Sequence, residues 1–272
     1  MNEWHKDGGT MDQQDSETLR EQVRNRYGAI ARAEGSCCCG GTDAPSHHDD
    51  VEYASKLGYS PDDVSSVPAG ADMGLGCGNP HAIAGLQAGE TVLDLGSGGG
   101  LDCFLAARRV GPKGKVIGVD MTPDMVTKSR RAAREAGYHN VEFRLGEIEH
   151  LPVADGSIDV ILSNCVVNLS PDKQSVFDDA FRVLRPGGRL AISDVVAIKP
   201  LPSNLRNDSG SLCGCVGGAA LVADLEQMLH RAGFSAILVD IKPESEEIVS
   251  GWQHGAGYAD YVRSALITAV KQ

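Results

Sequence analysis

Val92-Leu93-Asp94-Leu95-Gly96-Ser97-Gly98-Gly99-Gly100 decides how the rest of this chain is read. An aliphatic run broken by one acid enters a stretch with four glycines in five positions, and Leu101–Val110 beyond it has the spacing of a helix. A strand that turns on glycines into a helix leaves its backbone open to a ligand, and the first helical N–H groups point at whatever binds there. Asp120 stands twenty residues past Gly100, at the end of the next β-rich run, where an acid can accept hydrogen bonds from ribose hydroxyls. The glycines fall at 96, 98 and 100, whereas a dinucleotide fingerprint has its third glycine three residues after the second.

Working outward, short β-rich runs alternate with helical segments. Thr91–Gly96, Lys115–Met121, Val141–Gly146, Ile158–Asn164 and Gly188–Val196 read as strands, and Leu101–Val110, Pro123–Ala136 and Asp172–Leu184 as helices. This alternation predicts an α/β, doubly wound, Rossmann-like fold with a mostly parallel sheet. Ala219–Ala232 is then expected to be helical, with Ala236–Lys242 and Tyr261–Val270 as final strands. Ser16–Glu34 reads as a helix capped by Ser16, with Leu19, Val23, Tyr27 and Ile30 on one face. Ser46–Ala71 is acidic and turn-rich and reads as a cap outside the core.

The 272 residues carry 25 basic and 37 acidic side chains, a net charge of -12, and no basic block, which argues against nucleic acid as a partner. No apolar run approaches the roughly 18 residues of a membrane span, and the first twenty residues are polar, so neither membrane nor secretory signal is expected. A cytoplasmic, reducing location follows, in which the eight cysteines serve as thiols, ligands or redox partners. Cys165 follows the fourth expected strand, at the carboxyl end that borders the ligand crevice of open α/β sheets. Cys213 and Cys215 lie in a glycine-rich loop after the fifth, and Cys77 sits between Gly76 and Gly78. Three separated segments thus offer thiolates, which suit a soft, thiophilic centre. Cys37, Cys38 and Cys39 form a run in a glycine-flanked arm, while Cys103 reads as helix core and Trp252, His254 and Tyr258 as loop residues.

The glycine turn preceded by Asp94, with Glu147 after the third strand, Asn164 after the fourth and the turn Leu184-Arg185-Pro186-Gly187-Gly188, resembles class I S-adenosylmethionine methyltransferases. Gly74-Leu75-Gly76-Cys77-Gly78-Asn79-Pro80, Ser163-Asn164-Cys165-Val166-Val167-Asn168-Leu169-Ser170-Pro171-Asp172-Lys173 and Cys215-Val216-Gly217-Gly218-Ala219 narrow the resemblance to the arsenite methyltransferases. It implies S-adenosylmethionine as cofactor, with contacts from Tyr27, Asp94, Gly96, Ser97, Gly98, Gly100, Asp120, Met121, Glu147, Ile148 and Asn164. It also implies arsenic ligation by Cys165 and Cys215, with Cys77 as a third ligand or as redox partner of a thiol among Cys37 to Cys39. Cys213 departs from the family pattern.

On that resemblance the chain divides into an arm and cap (1–70), a cofactor-binding core (71–202) and an arsenic-binding loop with the last strands (203–272). Its ligands would be arsenite and methylated arsenicals, and its reductant thioredoxin or a small thiol. No heptad or long exposed apolar stripe is present, so a monomer is expected. Two alternatives stay open: a class I methyltransferase acting on a quinone or other small molecule, and a thiol-rich protein that binds soft metals. The first would not call for cysteines at 77, 165 and 215, and the second would not need Asp94, Gly96, Gly98 and Asp120 together. S-adenosylmethionine at about 100 times its Kd should add about 2.7 kcal/mol of stability, read as a rise in melting temperature, and Asp120→Ala should shrink that rise. A rise with NAD instead would refute the cofactor assignment.

Overall fold

The structure is a computed structural model that describes residues 13–32, 53–202, 205, 216–246 and 257–272. A seven-stranded sheet in the order β3-β2-β1-β4-β5-β7-β6 forms its centre. The strands are β1 (Thr91–Leu95), β2 (Lys115–Asp120), β3 (Val141–Leu145), β4 (Ile158–Asn164), β5 (Leu184–Ala197), β6 (Ser235–Ile241) and β7 (Val262–Val270). Pairing is parallel from β3 through β5, and β7 runs antiparallel to both β5 and β6. The helices are α1 (Gln13–Arg32), α2 (Pro61–Ser65), α3 (His81–Ala84), α4 (Leu101–Val110), α5 (Pro123–Glu135), α6 (Lys173–Val183) and α7 (Val222–Ala232).

The central strands are buried on both faces, as parallel strands covered by crossover helices must be, and their side chains alternate between two cores. Leu93, Leu95 and Ile161 pack with Phe177 of α6 on one face, while Val92 and Val160 pack with Phe104 of α4 and Phe143 on the other. By the same alternation Asp94 points to the α4 side. Local signals end the helices as expected: Pro123 opens α5, the Asp172 carboxylate accepts from the Ser175 N–H at the start of α6, and Gly233 closes α7 with φ +104°.

The structure departs from expectation in three places. The strand expected at Gly188–Val196 begins at Leu184, and the register slips between Ile158↔Leu184 and Val160↔Arg189. Pro186 has no N–H and Gly187 has φ +82°, so the Arg185-Pro186-Gly187-Gly188 turn bulges inside the strand instead of preceding it. The helix expected to be capped by Ser16 starts at Gln13, with Ser16 inside it. The stretch expected as a cap outside the core instead buries Ala54, Leu57, Tyr59 and Ala71.

Phe177, 1% exposed in the larger core, sets the energetic scale. Phe177→Ala should cost about 3–5 kcal/mol in denaturant unfolding. Leu238→Ala, at a site 60% exposed, should stay within about 0.5 kcal/mol.

Candidate active site

The turn after β1 is built on positive φ angles at Gly96 (+66°), Gly98 (+49°) and Gly100 (+98°). The N–H groups of Gly96 and Ser97 both donate to Val119 O, at 2.8 and 3.0 Å, which ties the turn to β2. Asp120 completes it, accepting from Gly98 N at 2.9 Å and Thr122 N at 2.8 Å. Burial raises the Asp120 carboxyl, and these N–H donors oppose the rise. A methyl group at Gly98 would meet nothing nearer than 4.0 Å, whereas at Gly96 it would strike the Val166 side chain. The turn therefore has open space on one side and the Cys165-Val166 segment on the other.

Helix α1 lies across the ends of β2, β3 and β4. Arg20 pairs with Glu147 and Glu149, Arg24 with Glu147, and Arg32 with Asp124. Tyr27, Met121, Cys165 and Val166 all pack around Leu19, Val23 and Leu169. Of the expected cofactor residues, Asp94, Gly96, Ser97, Gly98, Gly100, Asp120 and Met121 lie at this turn and the strand ends beside it, and Tyr27 packs in the cluster that holds Met121 and Val166. The Glu147 carboxylate is engaged by the two arginines, and Ile148 is buried in the core with Leu93 and Phe177.

Cys77 and Cys165 are joined by a disulfide, with Cα atoms 5.8 Å apart and 88 residues between them in sequence. Cys165 has φ +59°, a left-handed conformation that costs a non-glycine residue on the order of 1–3 kcal/mol. Its N–H donates to Ser193 O at 2.8 Å. Cys77 is held at both ends of its peptide: its N–H donates to Asn164 Oδ1 at 3.1 Å, and its C=O accepts from Ser264 Oγ at 2.7 Å. The expected partners of Cys77 among Cys37, Cys38 and Cys39 lie outside the described residues, as do Cys213 and Cys215. Cys103 is buried in the helix core as expected, but its thiol also donates to Asp94 Oδ2 at 3.2 Å.

Several residues here went unnoticed in the sequence. Asp194 lies within 4.8 Å of both Cys77 and Cys165 sulfurs, accepting from Asn168 Nδ2 at 2.8 Å and Val195 N at 2.7 Å. Burial lifts its carboxyl to about 6. The polar pair Ser193-Asp194 interrupting the apolar run Leu190 to Val196 was the available signal. Ser264 on β7 carried no such signal. Tyr258, expected in a loop, is buried in the cluster that holds Cys77 and Val195.

A family model described as a methyltransferase domain matches residues 86–233. An arsenite methyltransferase of Halobacterium salinarum is 55% identical over 265 residues, covering 94% of this chain and 68% of that protein. The chain belongs to the arsenite methyltransferase family. A second member, from Aquipseudomonas alcaligenes, is 40% identical over 80% of this chain and 62% of its own length. A crystal structure of an arsenic (III) S-adenosylmethionine methyltransferase from Chlamydomonas reinhardtii superposes with a TM-score of 0.62 at 33% identity, covering 81% of this chain and 73% of that one.

The turn fits the cofactor of this family, S-adenosylmethionine. Ser97 Oγ is buried with no hydrogen-bond partner among the described residues, and space is open above Gly98. Among the described residues Asp94 is buried with only the weak Cys103 thiol as a side-chain donor, and burial, then the charge of Asp102, raises its carboxyl well above the usual range. A cationic amino group is the partner such a carboxylate lacks.

Asp194 allows a test by pH. Its folded pKa of about 6 exceeds the unfolded value, so its proton is held more tightly in the folded state, and stability present at low pH is lost as pH rises through about 4 to about 6. Asp194→Asn should gain about 2 kcal/mol on the parent protein between pH 4 and pH 7 in denaturant titrations. Asp94 and Asp120 are common to both proteins and cancel in that difference.

Proposed function

We propose that this chain methylates trivalent arsenic held on its own cysteine thiolates, with S-adenosylmethionine as methyl donor. One observation carries the reading: Val166 packs on the glycine at the heart of the cofactor turn, and the residue before it, Cys165, is paired with Cys77. Sulfur ligands and cofactor turn therefore share one wall.

In the reduced protein Cys77 and Cys165, with Cys215, would bind arsenite as three thiols replace its hydroxyls and release water. Thiolates suit this soft centre, which keeps a lone pair when pyramidal. Asp94, Ser97 and the Gly98 turn would hold the cofactor, with Asp120 fixing the turn, Tyr27 approaching from α1 and Met121 from the end of β2. S-adenosylmethionine, when bound, supplies an electrophilic methyl group. The arsenic lone pair carries no proton, so the chain needs no general base. Its work is to hold the ligating sulfurs beside the cofactor turn, and such proximity is worth up to roughly 7–11 kcal/mol of a barrier.

Methylation raises arsenic to the pentavalent state. Two of its three thiolate ligands return it to trivalent by leaving together as a disulfide: two As–S bonds break, one S–S bond forms, two electrons go to arsenic, and water supplies hydroxide to the freed position and releases a proton. The bonded Cys77–Cys165 pair supports this step, and Cys37, Cys38 and Cys39 add further thiols. Thioredoxin or a small thiol would reopen the disulfide by exchange, with methylated arsenicals as products. This chemistry suits a cytoplasmic monomer. Among the described residues no helix is long and apolar enough to cross a membrane.

Incubation with arsenite, labelled S-adenosylmethionine and a dithiol should give labelled methylarsenicals. Cys165→Ser should lower the rate by about 100-fold or more while cofactor affinity persists. Label transfer that ignores arsenite would overturn the reading, and arsenite binding without transfer would make the protein a sequestering one.

A further inference from the structure

Asn164 was expected to contact the cofactor, yet its side chain is occupied elsewhere. Nδ2 donates to Gly78 O at 2.8 Å and to Tyr59 Oη at 3.0 Å, with Asp102 Oδ2 at a longer 3.4 Å. Oδ1 accepts from the Cys77 N–H at 3.1 Å and lies 4.0 Å from the Cys77 sulfur. Both amide hydrogens are spent, and the carbonyl oxygen is turned to Cys77. A methyl group at Gly76 would sit 3.1 to 3.3 Å from the Asn164 amide, so the segment before Cys77 passes close over this side chain.

Behind Asn164 stands a buried polar chain. Tyr59 Oη donates to Asp102 Oδ1 at 2.7 Å, which leaves its oxygen free to accept from Asn164. His81 Nε2 lies 3.2 Å from the same Asp102 oxygen. Tyr59, Asp102 and His81 are all buried, so packing fixes their geometry, and a hydrogen bond joins Tyr59 to Asp102 as well. Asn164 is also the residue before Cys165. One residue thus grips the Cys77 peptide through its side chain and leads into Cys165 through its backbone.

We propose that Asn164 is a positioning residue for the Cys77–Cys165 pair, oriented by Tyr59 and Asp102, and is not a ligand of the cofactor. Cys77 belongs to no helix or strand, so its approach to Cys165 depends on such a grip. Loosening the grip lowers the effective concentration of one thiol at the other. The dithiol then gains at the expense of the disulfide.

The test uses the full chain and no arsenic, so its failure is distinguishable from failure of the methyltransferase reading. The protein is equilibrated with reduced and oxidised dithiothreitol. Two reagent thiols reduce Cys77–Cys165 to two protein thiols and close to the cyclic disulfide. Mass spectrometry of the peptides joined through Cys77 and Cys165 reads the ratio, and S-adenosylmethionine affinity is measured in parallel. Asn164→Ala should move the exchange equilibrium toward the dithiol by about 10-fold, with cofactor Kd within about twofold of the parent.

Tyr59→Phe keeps the ring and removes the hydroxyl between Asp102 and Asn164. It should move the equilibrium the same way by about threefold, and add nothing in the Asn164→Ala background. This variant carries the test if Asn164→Ala does not fold. An unmoved exchange equilibrium, or a cofactor Kd raised more than about threefold by Asn164→Ala, overturns the proposal.

Discussion

The peptide of Cys77 is the point on which the site depends. Its N–H is bonded to a side chain 87 residues later in the sequence and its C=O to one 187 residues later, and no regular element of its own holds it. A buried hydrogen bond contributes about 1 kcal/mol net, but a buried group left unmatched costs about 1–3 kcal/mol, so the segment is strongly biased to this one path. Sheet topology makes the path available. β4 lies beside β5, which sets Asn164 next to Ser193, and β7 enters antiparallel against β5, which sets Ser264 opposite Val195. Gly78 has no side chain because one would overlap Ser193 Oγ. The order of strands far along the chain thus decides where an early cysteine stands.

The cofactor turn and the cysteine pair meet through Val166, and charge separates their roles. Asp94, Asp102 and Asp120 lie within 26 residues of one another and are all buried around α4 and the glycine turn. Asp102 raises Asp94, and both raise the Cys103 thiol, so the acids disfavour one another's ionised forms. A crevice of this kind suits a ligand that brings positive charge, as a sulfonium and an ammonium group do. Among the described residues the cysteine side has one carboxylate, Asp194, whose hydrogen bonds come from Asn168 and the β5 backbone. Trivalent arsenic on thiolates is neutral and asks for no such field.

Fold and cofactor turn were legible because their signals are local. The bounds of α4 and β4 follow from apolar periodicity ended by glycine or asparagine, and the glycine turn announces itself by composition. What was not legible depends on contacts across the sheet. Tyr59 lies in an acidic, turn-rich stretch that reads as a surface cap, yet Asn79 Nδ2 donates to Gly58 O at 2.9 Å and folds that stretch into the core beside Asp102. Ser264 is one polar residue on an alternating strand, a position that ordinarily faces solvent. Asn164 shows the limit most clearly, since its place at the end of β4 is compatible with reaching the cofactor or Cys77, and only the path of the distant Gly76-Cys77-Gly78 segment over it distinguishes them.

The cysteines illustrate how environment divides one residue type into separate chemistries. Cys103 is wholly buried, and desolvation, then the negative charge of Asp94, pushes its thiol well above the ordinary range. It therefore stays protonated, and a protonated thiol is neither nucleophile nor good ligand. Its hydrogen is used instead as a donor to Asp94. Cys77 is almost as buried, but its sulfur meets another sulfur, the Asn164 oxygen and Ser193 O at 3.7 Å. The nearest carboxyl, Asp194, lies within 4.8 Å, and its own donors, Asn168 Nδ2 and Val195 N, share its charge. Burial alone does not separate these cysteines; what each sulfur touches does, a carboxylate for Cys103 and a second sulfur for Cys77.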